Sequence, residues 1–157
     1  MEQSQLMQAI TPSTISLSME PFSSKDELFQ HMAEKMKSAG RIESENEFIK
    51  ALNEREDTGS TYMGNMIAIP HGKSSTVKQA TIGFCQMRTP MIYASNDEEG
   101  PVKIVFMLAV PTITSSNDYL QILATLARLL VYEEFVQKVE EVENYESIIE
   151  AFRYYLK

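Results

Sequence analysis

The sequence predicts an α/β fold of three layers, in which a mixed β-sheet of about four or five strands is flanked by helices. Apolar runs typical of strands are interspersed along the chain with amphipathic segments typical of helices. Several strand segments are apolar on both sides, so both faces of the sheet need a cover. At 157 residues the chain has the size of one domain with a sizeable core.

The first half of the chain is predicted to contain a flexible lead-in over 1–13, a strand over 14–19, and helices over about 24–38 and 44–56. In the strand, Ile15, Leu17 and Met19 alternate with polar residues, as in a half-buried strand. Each helix follows a serine with a glutamate three residues later, the pattern of a capping box. Residues 14–157 are assigned to a single domain.

The second half is predicted to contain strands over 67–69, 80–87, 91–93 and 102–110, an acidic turn over 96–100, and helices over about 115–131, 133–141 and 144–155. The strands at 67–69 and 102–110 are continuous apolar runs that end at Pro70 and Pro111, residues that cannot donate to a ladder. Leucines at helical spacing mark the buried face of the helix over 115–131. Its candidate N-caps are Ser115, Ser116 and Asn117.

Composition narrows the classes of function. The net charge of −8 argues against a nucleic-acid-binding protein, which needs a basic surface. No run of about 18 apolar residues is present, so no membrane span is expected. The N-terminus does not resemble a secretory signal. The single cysteine, Cys85, cannot form an internal disulfide, and these features together predict a cytoplasmic protein.

The sequence predicts no metal site and no cofactor. Zinc needs three or four clustered ligands, and the 2 histidines and 1 cysteine show no metal-binding spacing. Gly64 and Gly72 fit neither nucleotide-binding template. A nucleophilic pair of Cys85 and His71 has no supporting pattern, because Cys85 lies within a predicted buried strand and is expected to be inert. His31 lies beside the apolar stripe of its helix and is predicted to be an ordinary boundary residue.

His71 is the main candidate for chemistry, although a histidine at a strand end is also often a polar surface residue. It follows Pro70, which fixes the backbone, and precedes Gly72, which can take a positive φ or let another backbone approach. This pattern predicts an exposed imidazole at the mouth of a strand.

Arg55 is predicted to lie at the end of the preceding helix, on the side that faces the core. A neutral imidazole can accept a phosphoryl group, and a guanidinium can bind the phosphoryl oxygens. The acids beside Arg55 are predicted to form a solvated helix end: Glu54, Glu56 and Asp57.

The stretch Met63-Gly64-Asn65-Met66-Ile67-Ala68-Ile69-Pro70-His71-Gly72, with Glu56 before it, resembles the active-site signature of IIA components of mannitol/fructose type. These proteins belong to the bacterial phosphoenolpyruvate-dependent sugar phosphotransferase system. The resemblance continues through Val105–Pro111 and Leu120–Leu126, and covers the chain from about residue 14 onward. It implies a mixed sheet between helices and phosphotransferase activity without a cofactor.

The resemblance also implies roles for single residues and for partners. His71 would accept a phosphoryl group from the small carrier HPr and pass it to a cysteine on a IIB domain. Arg55 would lie beside the phosphohistidine, with Gly72 and Tyr119 as neighbours of the phosphoryl group. The start of the helix at 115–117 is a further candidate, because backbone N–H groups there can face an anion.

The sequence departs from the family at two places. Glycines are common in the family where this chain has Tyr62 and Met66, and a second histidine is usual where it has Tyr119. A phenol can donate a hydrogen bond to a phosphoryl oxygen, but with a pKa of about 10 it carries no proton charge at neutral pH. Tyr119 can equally be a half-packed residue of a helix start. Its presence favours, as an alternative, a regulatory IIA-like module that controls a transcription regulator or a transporter. A binding domain that is not phosphorylated is a third, weaker alternative.

Overall fold

The computed structural model describes residues 2–113 and 116–156, and the side chains of residues 6–113 and 118–156. The helices are α1 (Glu2–Ala9), α2 (Lys25–Ser38), α3 (Glu45–Glu56), α4 (Ser116–Leu129), α5 (Glu133–Glu141) and α6 (Tyr145–Tyr155). The strands are β1 (Ile10–Met19), β2 (Tyr62–Gly64), β3 (Ile67–Ala68), β4 (His71–Lys73), β5 (Thr81–Ser95) and β6 (Glu98–Val110).

The six strands of the described chain form one mixed sheet in the order β1-β5-β6-β3-β2, and β4 also pairs with β6. Strands β5 and β6 form a long antiparallel hairpin, while β1 lies parallel to β5. Strands β3 and β4 both lie parallel to β6, with Ile67 opposite Ile104 and His71 opposite Leu108. Because the sequence offset is the same in both pairs, β3 and β4 are two pieces of one strand line. The predicted α/β fold is confirmed, with slightly more strands than expected.

Alternate residues of the sheet face two separate cores. On one face, side chains of β6 such as Phe106 and Leu108 pack with α1, α4, α5 and α6. On the other face, Val105 and Met107 pack with α2 and α3. These four side chains are fully buried. Covering both faces of the central strand explains its unbroken apolar run and gives the three layers.

The N-terminal stretch differs from the predicted flexible lead-in. It contains α1, and β1 begins at Ile10 rather than at Thr14. Leu6, Ala9 and Ile10 are buried in the core shared with α4 and α6. The few apolar residues of this stretch therefore cover part of the sheet, which the short sequence pattern does not reveal.

The hairpin of β5 and β6 includes two segments that we predicted as separate elements. The expected edge strand over 91–93 is the second half of β5, and the acidic turn over 96–100 contains the start of β6. Pairing runs without a break from Met91 opposite Val102 to Ser95 opposite Glu98. A register shift between Gln86 and Met91 leaves Pro90 outside the paired residues, as is usual for proline in a sheet.

The predicted serine caps begin α2 and α3. Ser24 Oγ accepts the N–H of Glu27, and Ser44 Oγ accepts the N–H of Glu47. The reciprocal half of the box differs at both caps: Glu27 Oε2 accepts the N–H of Ser23 at 3.0 Å rather than that of Ser24, and the N–H of Ser44 donates to Thr76 Oγ1 at 2.6 Å. Of the candidate caps of α4, Ser115 and the side chains of Ser116 and Asn117 lie outside the described residues.

Asn65 and Met66 form the two-residue turn between β2 and β3. Their φ angles are +52° and +66°, as a type I′ turn requires of both central residues. Asparagine tolerates this region, but the left-handed region costs a residue such as methionine about 1–2 kcal/mol. Glycine, which the family commonly carries at position 66, avoids that cost.

We therefore expect Met66→Gly to raise the free energy of unfolding by about 1 kcal/mol, because it removes this backbone strain. For a domain of this size, that corresponds to a rise in Tm of about 2–4 °C. Thermal unfolding followed by circular dichroism measures the change. Met63→Gly is the matched control, because Met63 lies in β2 without a positive φ, and this variant is expected to lower Tm. A lower Tm for Met66→Gly as well would show that the turn is not strained.

Candidate active site

Helix α3 lies directly against strand β4 at Gly72. A Cβ atom at Gly72 would lie 3.1 Å from the backbone nitrogen of Leu52 and 3.2 Å from the carbonyl carbon of Ala51. Gly72 does not have a positive φ, so of the two properties predicted for it, the close approach is the one that the fold uses. This contact brings the last turn of α3, which carries Arg55, to the position of His71.

His71 is buried within the sheet, and the prediction of an exposed imidazole is wrong. Only 7% of the residue is exposed. Pro70 interrupts the strand line but does not end it, because its carbonyl accepts the N–H of Leu108 at 3.0 Å and β4 continues the pairing. Arg55 and Tyr119 both contact the imidazole, which explains its low exposure.

Two contacts fix the protonation of the His71 ring. Nδ1 lies 2.9 Å from the carbonyl oxygen of Ile69, and since a carbonyl can only accept, Nδ1 carries the proton. Nε2 accepts a hydrogen bond from Arg55 Nε at 2.9 Å, so its lone pair is not protonated. Burial lowers the pKa of His71, and the charge of Arg55 lowers it further, against the opposing effects of the Ile69 carbonyl and Glu56. The ring is therefore neutral, with Nε2 as its nucleophilic atom.

The guanidinium of Arg55 is held at the end of α3 by the loop that follows the helix. Its Nη1 donates to the carbonyl of Gly59 at 2.8 Å and to Thr58 Oγ1 at 3.2 Å, while Nε donates to His71. Arg55 is half-buried and lines a surface depression beside His71. The face of α3 that packs on the core carries Phe48, Leu52 and Glu56, so the core-facing position predicted for Arg55 is only partly met. The arrangement places a fixed positive charge within hydrogen-bonding distance of the nucleophilic nitrogen.

Glu56 is buried, and our prediction of a solvated helix end is wrong for this residue. It is only 4% exposed, and its carboxylate accepts hydrogen bonds from Thr61 Oγ1 at 2.5 Å and Ser95 Oγ at 2.6 Å. Lys25 Nζ lies 3.0 Å from the same carboxylate. The signal was present in the sequence, because Glu56 continues at an interval of four residues the buried stripe that includes Leu52.

Tyr119, in the first turns of α4, lies next to the imidazole. The ring centroids of His71 and Tyr119 are 5.9 Å apart, at an interplanar angle of 56°. Burial raises the pKa of the Tyr119 phenol, although the charge of Arg55 opposes this effect. Tyr119 is thus half-buried, as predicted for a residue packed at a helix start, and it also lies beside His71, as predicted for a neighbour of the phosphoryl group. It has no protonatable nitrogen to offer a phosphoryl group.

An open depression of about 550 Å³ is lined by Arg55 and Tyr119, the two side chains that contact the imidazole. Its lining is mainly polar and charged, and it includes Lys50, Lys73, Glu54, Gly72 and Tyr119. Leu120, the next residue of α4, is 58% exposed. An open depression lined mainly by polar and charged residues is suited to docking a protein rather than to enclosing a small molecule.

The other residues considered from sequence do not join this site. Cys85 is fully buried in β5, and burial raises the pKa of its thiol to about 12. His31 Nε2 lies 2.9 Å from Ser16 Oγ, and its ring packs near Phe22. Across the described residues, no group of three or more His, Cys, Asp or Glu side chains is placed to hold a metal ion. None of the described helices is long and apolar enough to span a membrane.

Solved structures with this fold include phosphotransferase-system proteins. The nitrogen regulatory protein IIA-Ntr from Neisseria meningitidis is 30% identical, with a TM-score of 0.82 over 92% of this chain and 97% of that protein. The IIA mannitol enzyme from Escherichia coli, solved in complex with phosphorylated IIB mannitol enzyme, has a TM-score of 0.73 over 91% of this chain and 96% of its own. At 22% identity, that likeness shows the shared fold.

Sequence relatives point to the same family. The fructose-specific EIIA component of Haloferax volcanii is 31% identical over 139 residues, which cover 88% of this chain and 89% of the relative. The fructose-specific EIIABC component of Bacillus subtilis is also 31% identical, over 92% of this chain but only 22% of that protein. Residues 8–155 match the family described as phosphoenolpyruvate-dependent sugar phosphotransferase system, EIIA 2. The resemblance inferred from sequence is therefore confirmed, and the chain belongs to the EIIA 2 family of this phosphotransferase system.

Proposed function

We propose that the chain is a cytoplasmic phosphocarrier that accepts a phosphoryl group from HPr on Nε2 of His71 and passes it to a cysteine of a IIB domain. The observation that carries this proposal is the pair of contacts on the imidazole. Ile69 holds the proton on Nδ1, and Arg55 lies against the lone pair of Nε2. The nucleophilic nitrogen and the cation that would bind the incoming oxygens are thus already together.

The transfer needs no base, because Nε2 carries no proton. Its lone pair attacks the phosphorus of phosphorylated HPr, a nitrogen–phosphorus bond forms on His71, and the bond to the donor breaks with its electron pair remaining on the donor. The proton stays on Nδ1, and the carbonyl of Ile69 that accepts its hydrogen bond stabilises the positive charge that develops on the ring. In the second step, a IIB thiolate attacks the phosphorus and the electron pair of the broken bond returns to Nε2.

Arg55 must leave Nε2 before the phosphorus can approach, since its Nε occupies the lone pair. The anchors of Nη1 on Thr58 and Gly59 keep the guanidinium close during this movement. After transfer, the guanidinium binds the phosphoryl oxygens through charge-assisted hydrogen bonds. Arg55 therefore covers the nucleophile in the free protein and stabilises the phosphoryl group in the phosphorylated protein.

The depression beside the imidazole supports protein partners as donor and acceptor. It is open, and Lys50 and Lys73 in its lining offer charged contacts. Leu120, the residue after Tyr119 in α4, is exposed and offers an apolar contact. The relative from Bacillus subtilis is named an EIIABC component, and the fold is found in a solved IIA–IIB complex. These names support a IIB domain as the acceptor for this chain.

We expect His71→Ala to abolish phosphorylation, because the variant lacks the accepting nitrogen. Intact mass after incubation with phosphoenolpyruvate, enzyme I and HPr measures the gain of one phosphoryl group. His31→Gln is the matched control: it removes the other histidine, keeps a polar side chain near Ser16, and should be phosphorylated like the native chain. Phosphorylation of His71→Ala would contradict the assignment of His71 as the acceptor. A native chain that is not phosphorylated would contradict the carrier function.

A regulatory role is the second candidate function. The likeness to the nitrogen regulatory protein IIA-Ntr favours it, at 30% identity and a TM-score of 0.82. Tyr119 favours it as well, because it stands where the family usually has a second histidine beside the phosphoryl group. In this case His71 is still phosphorylated, but its phosphorylation state controls a transcription regulator or a transporter, and transfer to IIB is lost.

Tyr119→His should accelerate transfer from the phosphorylated chain to a IIB domain about tenfold, the effect of one added hydrogen bond to a charged group. Quenched-flow measurement of single-turnover transfer gives the rate. Tyr119→Phe removes only the phenol oxygen and reports whether the native hydroxyl contributes. Equal rates for all three proteins would show that Tyr119 only packs against His71. Absence of transfer from the native chain would favour the regulatory function.

A further inference from the structure

We propose that Glu56 is a positioning residue of the phosphoryl-transfer site. Its buried carboxylate holds Arg55 and His71 in place through two chains of contacts, which share its hydrogen bond to Thr61 and then diverge. The inference rests on the proposed transfer through His71. Glu56 lies too deep to touch a phosphoryl group, so it acts through its neighbours.

The first chain of contacts runs through the loop over 57–61. Arg55 Nη1 binds Thr58 and Gly59 of this loop, so the position of the guanidinium depends on the shape of the loop. The carboxylate of Glu56 closes the loop, because it precedes the loop directly and accepts a hydrogen bond from Thr61 Oγ1 at its far end. Both ends of the segment that holds Arg55 are thereby tied to one side chain.

The second chain of contacts runs through the backbone to the imidazole. The carbonyl of Thr61 accepts the N–H of Ile69 at 2.9 Å, and the carbonyl of Ile69 accepts the Nδ1–H of His71 at 2.9 Å. Three hydrogen bonds thus lead from Glu56 through Thr61 and Ile69 to the ring. A shift of Thr61 would move the carbonyl that sets the proton on Nδ1.

Several hydrogen bonds and an ion pair hold the carboxylate of Glu56 in one position. Its partners come from three elements: Lys25 from α2, Ser95 from β5 and Thr61 from the loop. Ser95 Oγ also accepts the N–H of Thr61 at 2.8 Å, and the hydroxyl of Tyr93 lies 2.7 Å from Thr61 Oγ1. A buried carboxylate persists only with such partners, and its full set here leaves it little freedom to move.

Glu56 also acts on His71 through its charge. Its negative charge favours the protonated imidazole and so raises the pKa of His71, opposing burial and Arg55. Removing the charge should therefore move the titration of His71 to lower pH. The titration therefore reports the charge of Glu56 at His71, while the rate of phosphoryl transfer reports its positioning role.

The first test compares Glu56→Gln with Asp57→Asn. Both replace an acid by its amide in adjacent residues, but Asp57 is exposed while Glu56 is buried. NMR titration of the His71 ring in the unphosphorylated protein should show a lower midpoint for Glu56→Gln and no change for Asp57→Asn. The rate of phosphorylation by HPr should fall about tenfold or more for Glu56→Gln alone, as expected when reacting groups are misplaced. An unchanged rate of phosphorylation in Glu56→Gln would overturn the proposal, whatever the titration midpoint of its His71.

The second test uses Thr61, so that the proposal stays testable if Glu56→Gln does not fold. Thr61→Ser keeps the hydroxyl that binds Glu56, whereas Thr61→Val replaces it with a methyl group of similar size. We expect Thr61→Ser to be phosphorylated at nearly the native rate and Thr61→Val about tenfold more slowly, with the NMR signal of the Arg55 side-chain Nε–H shifted. Equal rates and unshifted signals in the two variants would contradict the positioning role. The NMR measurements need no phosphorylation, so failure of the proposed function would be seen separately, as absence of transfer to the native chain.

Discussion

The hydrogen bond between Nδ1 of His71 and the carbonyl of Ile69 is the interaction on which the site depends. It assigns the proton to Nδ1 and leaves the lone pair on Nε2, facing Arg55. The carbonyl is available because Ile69 faces away from β6: its N–H donates to the carbonyl of Thr61, while the carbonyl of the next residue, Pro70, accepts the N–H of Leu108 in β6. The direction of one carbonyl in the strand line thus decides which nitrogen of the ring carries the proton. Pro70 helps to fix this direction, because its ring permits little other backbone geometry and keeps Ile69 extended.

The fold completes this candidate site by bringing three elements together. Strand β6, which is covered on both faces, pairs with β4 and so holds His71 in the sheet. Gly72 lets α3 approach β4 closely enough for Arg55 to reach the imidazole. The start of α4 places Tyr119 on the remaining side. Burial and the positive charge of Arg55 then both lower the pKa of His71 and keep its ring neutral. The buried carboxylate of Glu56 opposes them and ties the loop of Arg55 to the strand of His71.

Local patterns predicted most of the fold and the principal residues of the site. Helix boundaries followed from caps such as Ser44, and the motif around His71 identified both the ring and Arg55 as its partner. What the sequence did not predict depends on distant residues. Strands β2 and β4 are each three residues long and are defined by their pairing with other strands. His71 is buried in contact with Arg55 and Tyr119, which come from two helices distant in sequence. The burial of Glu56 depends on partners in other elements, and only its helical spacing hinted at it.

Identifying which ring nitrogen of His71 carries the phosphoryl group would test the proposed mechanism most directly. Long-range proton–nitrogen NMR of the histidine ring distinguishes a protonated, an unprotonated and a phosphorylated nitrogen. We expect a proton on Nδ1 and a bare Nε2 in the free protein, and phosphorylation on Nε2 with the Nδ1 proton retained. A phosphoryl group on Nδ1, or a free protein with its proton on Nε2, would contradict the role given to the carbonyl of Ile69.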